Sequence, residues 1–355
     1  MTNQLLTTDR ILTESLMHLE NEMVMAKLVS RDYEAEYEKP QKAGASIRIR
    51  KPVRGQVRTG NVRSVQDVEE GNTTLTVSSL VGADLDFTNV DMTLSVEKFS
   101  ERYLRPQMSV IANHIDLAVH AELYQHCPNW VGTAGSSSDR YRDYTYGPQR
   151  LDELAVPTGE RAGVLSPGDY WGTVASITGL SANAPVKSAL ENASLGRYAN
   201  TDTYMSQNVK AHTVGTWAAE SPQVDGAAEA SNWATAKSTV YTSQSISIKN
   251  INTATIKKGD IFTIAGINAV NPITGDAQDF PRQFAVISDD TTAVGGLAEI
   301  TITPAIITTG PYKTVSEAPT DSDAITVKGT SATSYKQNLV FHPDAVTLAI
   351  VPLEV

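Results

Sequence analysis

Sulfur and positive charge are both scarce in this chain, and each scarcity removes a class of function. Cys127 is the only cysteine in 355 residues, so no internal disulfide and no thiolate metal cluster is possible, and the compartment reads as reducing or indifferent. Lys and Arg number 29 against 40 Asp and Glu, a net charge of -11. That balance favours solubility and argues against nucleic acid as the main partner, without excluding a local basic site. Long apolar runs are missing too: stretches such as Ala345 to Leu353 fall far short of the ~20 residues of a membrane span. The opening MTNQLLTTDRILTESLM has no basic start followed by an apolar core, so it is no secretory signal. The sequence reads as soluble, non-secreted and without a membrane partner.

Catalytic signatures are absent as well. There is no G-x-S-x-G, Walker-type loop, H-E-x-x-H or G-x-G-x-x-G. His114, His120 and His126 recur every six residues, a step of about 240° on a helix, so they share no face and build no common metal site. Asp276, Asp279, Asp289 and Asp290 match no calcium-loop spacing. Neither an enzyme nor a cofactor is expected.

What the chain does have begins with a long helix. Within Ala83 to Pro128, whose helix runs from Pro106 to His126, Leu104, Met108, Ile111, Ile115 and Ala118 recur at four-then-three spacing and predict one apolar stripe. Glu101, Arg105, Asn113, Asp116, His120 and Glu122 form the polar remainder. Ser95 is a candidate N-cap for the segment leading in. Pro106 either follows the end of a short helix or opens the main one. Residues 8–37 predict an amphipathic arm, acidic through Glu14, Glu20, Glu22 and their neighbours. It packs either on its own domain or on something outside it.

Between Lys39 and Gln66 no acid occurs, while Lys39, Lys42, Arg48, Arg50, Lys51, Arg54, Arg58 and Arg63 all do. The alternation Ser46-Ile47-Arg48-Ile49-Arg50 puts both arginines on one face of a strand. A second alternation, Thr74 to Ser78, predicts its mate. This thin excursion has too few apolar residues for a core and is expected to lie against another molecule. An acidic protein surface is favoured over a polyanion.

Residues 132–149 predict a loop in which Tyr141, Tyr144 and Tyr146 interleave with Arg140 and Arg142, an interface loop before a base-stacking one. A short amphipathic helix and a buried strand, Ala162 to Leu165, follow. Residues 169–220 carry no assignable pattern. SPQVDGAAEASNWATAK reads as a linker. Val240 to Thr333 is nearly all short alternating strands, predicting a small β-barrel or sandwich. Ala345 to Val351 predicts a last strand, after which the chain looks unfinished.

Several phrases carry a resemblance: TNVDMTLSVEKFSERYLRPQM, LDELAVPTGERAGVLSP, and KKGDIFTIAGINAVNP followed by EITITPAI. Together they are similar to the major capsid (coat) proteins of tailed bacteriophages, within the P22 coat-like subgroup that carries an inserted β-barrel, the I-domain. The resemblance implies an α+β, HK97-like capsid fold: N-arm 1–38, E-loop 39–82, peripheral domain with spine helix 83–130, axial domain 131–220, inserted barrel 221–336 and a return strand 337–355. It implies a shell subunit forming hexamers and pentamers around double-stranded DNA. Its implied partners are itself, a scaffolding protein, the portal, a decoration protein and, weakly, the packaged DNA. The implied location is the virion, after assembly in the host cytoplasm. Arg48, Arg50, Lys51, Arg54, Arg58 and Arg63 become candidate contacts to a neighbour, and Glu101, Asp116, Glu122, Glu14, Glu20 and Glu22 candidate acidic partners. An encapsulin-like compartment or a carbohydrate- or surface-binding protein working through its β-rich module are the alternatives.

Overall fold

The computed structural model describes residues 15–19, 23–37, 44–51, 53, 55, 61–63, 72–77, 80–82, 100–138, 140–178, 197–226, 242–289 and 291–351. The chain divides into two compact units, one drawn from residues 1–46, 76–122 and 343–355, the other from 47–75 and 123–342.

The first unit is built on helix α1, Arg105–His126, entered through a π-helical turn, Ser100–Leu104. Pro106 therefore opens the helix in its first turn, where a missing N–H costs nothing. Leu104, Ala112, Val119 and Leu123 are buried, and Met108, Ile111 and Ile115 pack at the arm cluster. Ala118, expected in the stripe, is exposed. A strict four-three repeat slips by about 20° per heptad against a straight helix, so the buried face moves on to Ala112 and Val119. Ser95 lies outside the described residues.

The arm departs from its expected single helix. Residues 15–19 are helical, but two short 3-10 turns follow, Met25–Lys27 and Glu34–Glu36. Ser30 forms a parallel bridge to Thr347. The cause is Asp116, whose carboxylate accepts the N–H of Val24 at 2.9 Å and of Ala26 at 3.1 Å, amides that an α-helix would give to its own carbonyls. Leu19, Met23 and Ala26 pack with Ala112, Leu348 and Ile350. The arm thus folds on its own unit. The segment after Phe341 makes a 3-10 turn, Pro343–Ala345, and the single Thr347 bridge in place of the expected strand. Ile350 N–H is bound by Glu34 Oε1 at 2.9 Å.

In the second unit, helix α2 spans Tyr141–Glu153, where a loop to residue 149 was expected. Its inward positions are Tyr144 and Pro148, four apart on one face. Strands β3 (Ala162–Leu165), β4 (Arg197–Tyr198) and β5 (Thr201–Met205), with a later strand Leu339–Phe341, form one sheet in which β3 and β5 are parallel. Helix α3, Pro167–Thr178, starts on Ser166, whose hydroxyl reaches the N–H and the carboxylate of Asp169, with Pro167 in the first turn. Arg161 is buried and closes the turn after α2: it pairs with Asp152 at 2.7 Å and donates to the carbonyls of Val156 and Pro157.

The predicted barrel is present. Its strands are β7 (Gln223–Val224), β8 (Gln244–Lys249), β10 (Ile261–Val270), β11 (Ala277–Val286), β13 (Leu297–Thr303) and β14 (Ile325–Val327), ordered β14-β10-β11-β13-β8-β7. The ends meet: Ile325 N–H donates to Pro222 and Val224 N–H to Asp323, and Gln223 bridges Ala324. Gln223–Val224, expected in a linker, is the closing strand. Ile246, Ile248, Phe262, Phe284, Ile300, Ile302 and Trp217 fill the interior. A small ladder, β9 (Thr255–Ile256) with β12 (Thr291–Thr292), lies alongside in sequence. Among the described residues no helix is long and apolar enough to cross a membrane.

Candidate functional site

Two places concentrate polar chemistry, a basic hairpin and the root of the barrel. The hairpin is β1 (Ser46–Arg50) with β2 (Asn72–Thr76), paired in a two-stranded sheet. Gly44 N–H to Val77 O and Val77 N–H to Ala45 O, both 2.9 Å, prolong the pairing. Burial alternates along β1, so Arg48 and Arg50 stand exposed on one face while Ile47 and Ile49 are half-covered on the other. Lys51 is half-buried, Arg63 is exposed and Val62 is 86% exposed. Among the described residues no hydrogen bond or ion pair reaches the side chains of Arg48 and Arg63. Arg54 and Arg58 lie outside the described residues. An unpaired guanidinium on a strand without a third neighbour offers both charge and a backbone edge.

The acidic candidates divide. Glu101 and Glu122 are exposed. Asp116 is not available to a neighbour: it is 2% exposed and committed to the amides of Val24 and Ala26. The position was grouped with the polar face of the helix, but three or four residues from Ala112 and Val119 it falls on the buried one. His120, grouped likewise, is fully buried. Glu14, Glu20 and Glu22 lie outside the described residues.

The root of the barrel is the site that the sequence did not single out as a cluster. Asp260, 1% exposed, opens β10. Its carboxylate meets His212 Nε2 at 2.9 Å, Gly215 N–H at 3.1 Å, Trp217 Nε1–H at 2.8 Å and Lys257 N–H at 2.9 Å. Strand β6, Ala211–Thr213, supplies His212 and pairs with β15, Ser334–Lys336. One carboxylate thus ties β6, the strand that leads into the barrel and pairs with β15, to the start of β10. Lys257 to Asp260 is a turn with Gly259 at φ +94°, a conformation that needs glycine. A methyl there would also press on His212 and Tyr124 at 3.3 Å. The available signal was Gly259-Asp260 inside KKGDIF.

Tyr144 is 3% exposed, and its hydroxyl lies 2.6 Å from Thr201 Oγ1 and 3.0 Å from Thr203 Oγ1. Burial pushes its pKa above the usual phenol range, against the two hydroxyl contacts. It is a core residue and cannot stack on a base. Tyr146 instead accepts from Arg142 Nε at 3.1 Å. Cys127 is half-buried with its thiol toward Asn129 O, and burial raises its pKa. Among the described residues no group of His, Cys, Asp or Glu could hold a metal.

The sequence model described as "P22 coat protein - gene protein 5" matches residues 1–355. The chain belongs to the P22 coat protein family. It is a tailed-phage major capsid protein, a coat subunit of the virion. No curated protein sequence matches it. Solved structures similar to it include a chain from Mycobacterium phage Che8, at 15% identity over 86% of this chain and 90% of that one, TM-score 0.43. The capsid of Cyanophage P-SCSP1u aligns at 10% identity over 82% and 86%, TM-score 0.37. The CUS-3 coat protein I-domain aligns at 28% identity, covering 30% of this coat protein and 95% of that chain, TM-score 0.20.

Proposed function

We propose that this coat protein acts by assembly alone, with no chemical step, and that its basic hairpin is the E-loop by which one subunit grips the next. Head-to-tail contacts close into hexamers and pentamers of an HK97-like shell, each contact using different surfaces of the two copies. The observation that carries the reading is the hairpin itself: a two-stranded sheet with Arg48 and Arg63 exposed and unpaired among the described residues, in a chain of a coat family. Arg48, Arg50, Lys51, Arg54, Arg58 and Arg63 meet acids of a neighbour, with Glu101 and Glu122 as the exposed candidates on the helix. Glu14, Glu20 and Glu22 of the arm serve a basic assembly partner, a scaffolding protein. Portal, decoration protein and weakly held double-stranded DNA complete the partners, and assembly takes place in the host cytoplasm. Single rim pairs contribute only ~0.2–1 kcal/mol, so strength comes from repetition around the shell.

The test is the double reversal Arg48→Glu, Arg50→Glu. Shell yield is expected to drop at least tenfold while the soluble subunit keeps its melting temperature. Normal shells at normal yield would sink the E-loop assignment.

A further inference from the structure

One face of β11 carries Gln278, Phe280 and Arg282 at alternating, half-buried positions, and the last turn of α2 lies against it. Gln278 Nε2–H donates to the Glu153 carbonyl at 2.6 Å. The Arg150 guanidinium sits 3.7 Å from the centre of the Phe280 ring, the stacked geometry that holds a guanidinium plane in place. Its Nε lies 3.2 Å from Glu153 Oε2. Even so, Arg150 Nε, Arg150 Nη1 and Arg282 Nε are buried and lack a hydrogen-bond partner among the described residues. Burial first, and then the charge of Arg150, bring Arg282 down to about 10, with Cys127 opposing. Among the described residues Glu153 is the carboxylate paired with Arg150, and none pairs with Arg282. A groove of about 320 Å³ opens beside Arg150, lined by Trp130, Tyr146, Arg150, Glu153, Phe280 and Lys328 among others, with Arg282 behind its wall rather than in it. Lys328 is the second cation of its wall.

Orphaned polar atoms in buried places call for an explanation, and here three N–H donors stand against one acceptor, Gln278 Oε1, among the described residues. We propose that this groove is an oxyanion site, in which a carboxylate or phosphate group takes up the fork of Arg150 with Lys328 beside it. Guanidinium is the side chain whose planar donors match a two-oxygen acceptor. The source the chain itself supplies is an acidic side chain of a second copy, since acids outnumber bases 40 to 29 and coat subunits meet one another. That choice of occupant rests on the assembly reading; the site does not. Inorganic phosphate offers the same chemistry from solution.

The experiment uses the full chain, first as unassembled subunits. Inorganic phosphate, titrated against chloride at equal ionic strength, is expected to raise the melting temperature saturably. In Arg150→Met, which keeps the stem over Phe280, the midpoint concentration should move about tenfold higher, or about 1.4 kcal/mol. Arg150→Lys, which keeps the charge and loses the fork, should fall between, and carries the comparison should the Met variant not fold. No phosphate response in the wild type, or an undiminished one in the variants, overturns the site. Assembly then identifies the source: phosphate slows shell formation where a neighbour's carboxylate is the occupant and leaves it unchanged where the free anion is. A wild type that forms no shells would count against the assembly reading, while the subunit titration still decides the site.

Discussion

Two buried carboxylates, Asp116 and Asp260, each gather backbone amides from segments distant in sequence, and both hold the fold together from within the chain. Asp116 fixes the arm by taking the amides of Val24 and Ala26. Replacing it with Ala leaves the buried N–H of Ala26 unsatisfied, at about 1–3 kcal/mol before relaxation, and frees the part-buried N–H of Val24. Asp116→Ala is therefore expected to lower the denaturation midpoint and to expose the arm to limited proteolysis near residues 23–30. An unchanged midpoint with a protected arm would show that apolar packing alone holds it. The sequence could not reveal this role, because an acid on a helix looks alike whether it faces water or amides; only the chain that packs on it decides. Tyr144 is a comparable case. Arginine neighbours gave it the look of a stacking residue, whereas helical spacing alone, Tyr144 with Pro148, pointed inward.

At the scale of elements, legibility followed how much of the pattern was local. The strands β8, β10, β11, β13 and β14 could be read because each alternates or runs apolar within itself. The hairpin was readable for the same reason. Strand β7 was not: two residues in a polar stretch acquire strand character only by pairing with β8 and meeting the segment before β14. Helix α2 was hidden by Gly147 and Pro148, ordinarily breakers. Gly147 is needed where the helix meets Val340, whose Cγ2 would lie 2.9 Å from an added methyl. The barrel root makes a sharper claim. Asp260→Ala strands the donors of Gly215, Trp217 and Lys257, and leaves His212 without its partner, a loss of roughly 3–5 kcal/mol. Exchange protection of the Trp217 indole N–H should vanish selectively, while amides within β8, β11 and β13 stay protected for as long as the barrel remains folded. Full protection of the indole in that variant would remove Asp260 from its place as the tie.

For the whole molecule, the family match makes the chain a coat protein. Its design divides labour. Apolar interiors, one at the arm and helix and one in the barrel, stabilise each unit, while on the reading proposed above the exposed charge of the hairpin serves contacts between copies. Weak repeated contacts of that kind permit wrongly placed subunits to leave and make association depend on salt. The central claim is that the purified chain assembles by itself or with a basic scaffold into closed shells. Its most direct test is particle size, measured by light scattering and electron microscopy across protein concentration and ionic strength. Uniform closed particles of many copies, lost in the Arg48→Glu, Arg50→Glu protein, are the predicted result; a monodisperse monomer under every condition, with and without scaffold, would contradict it.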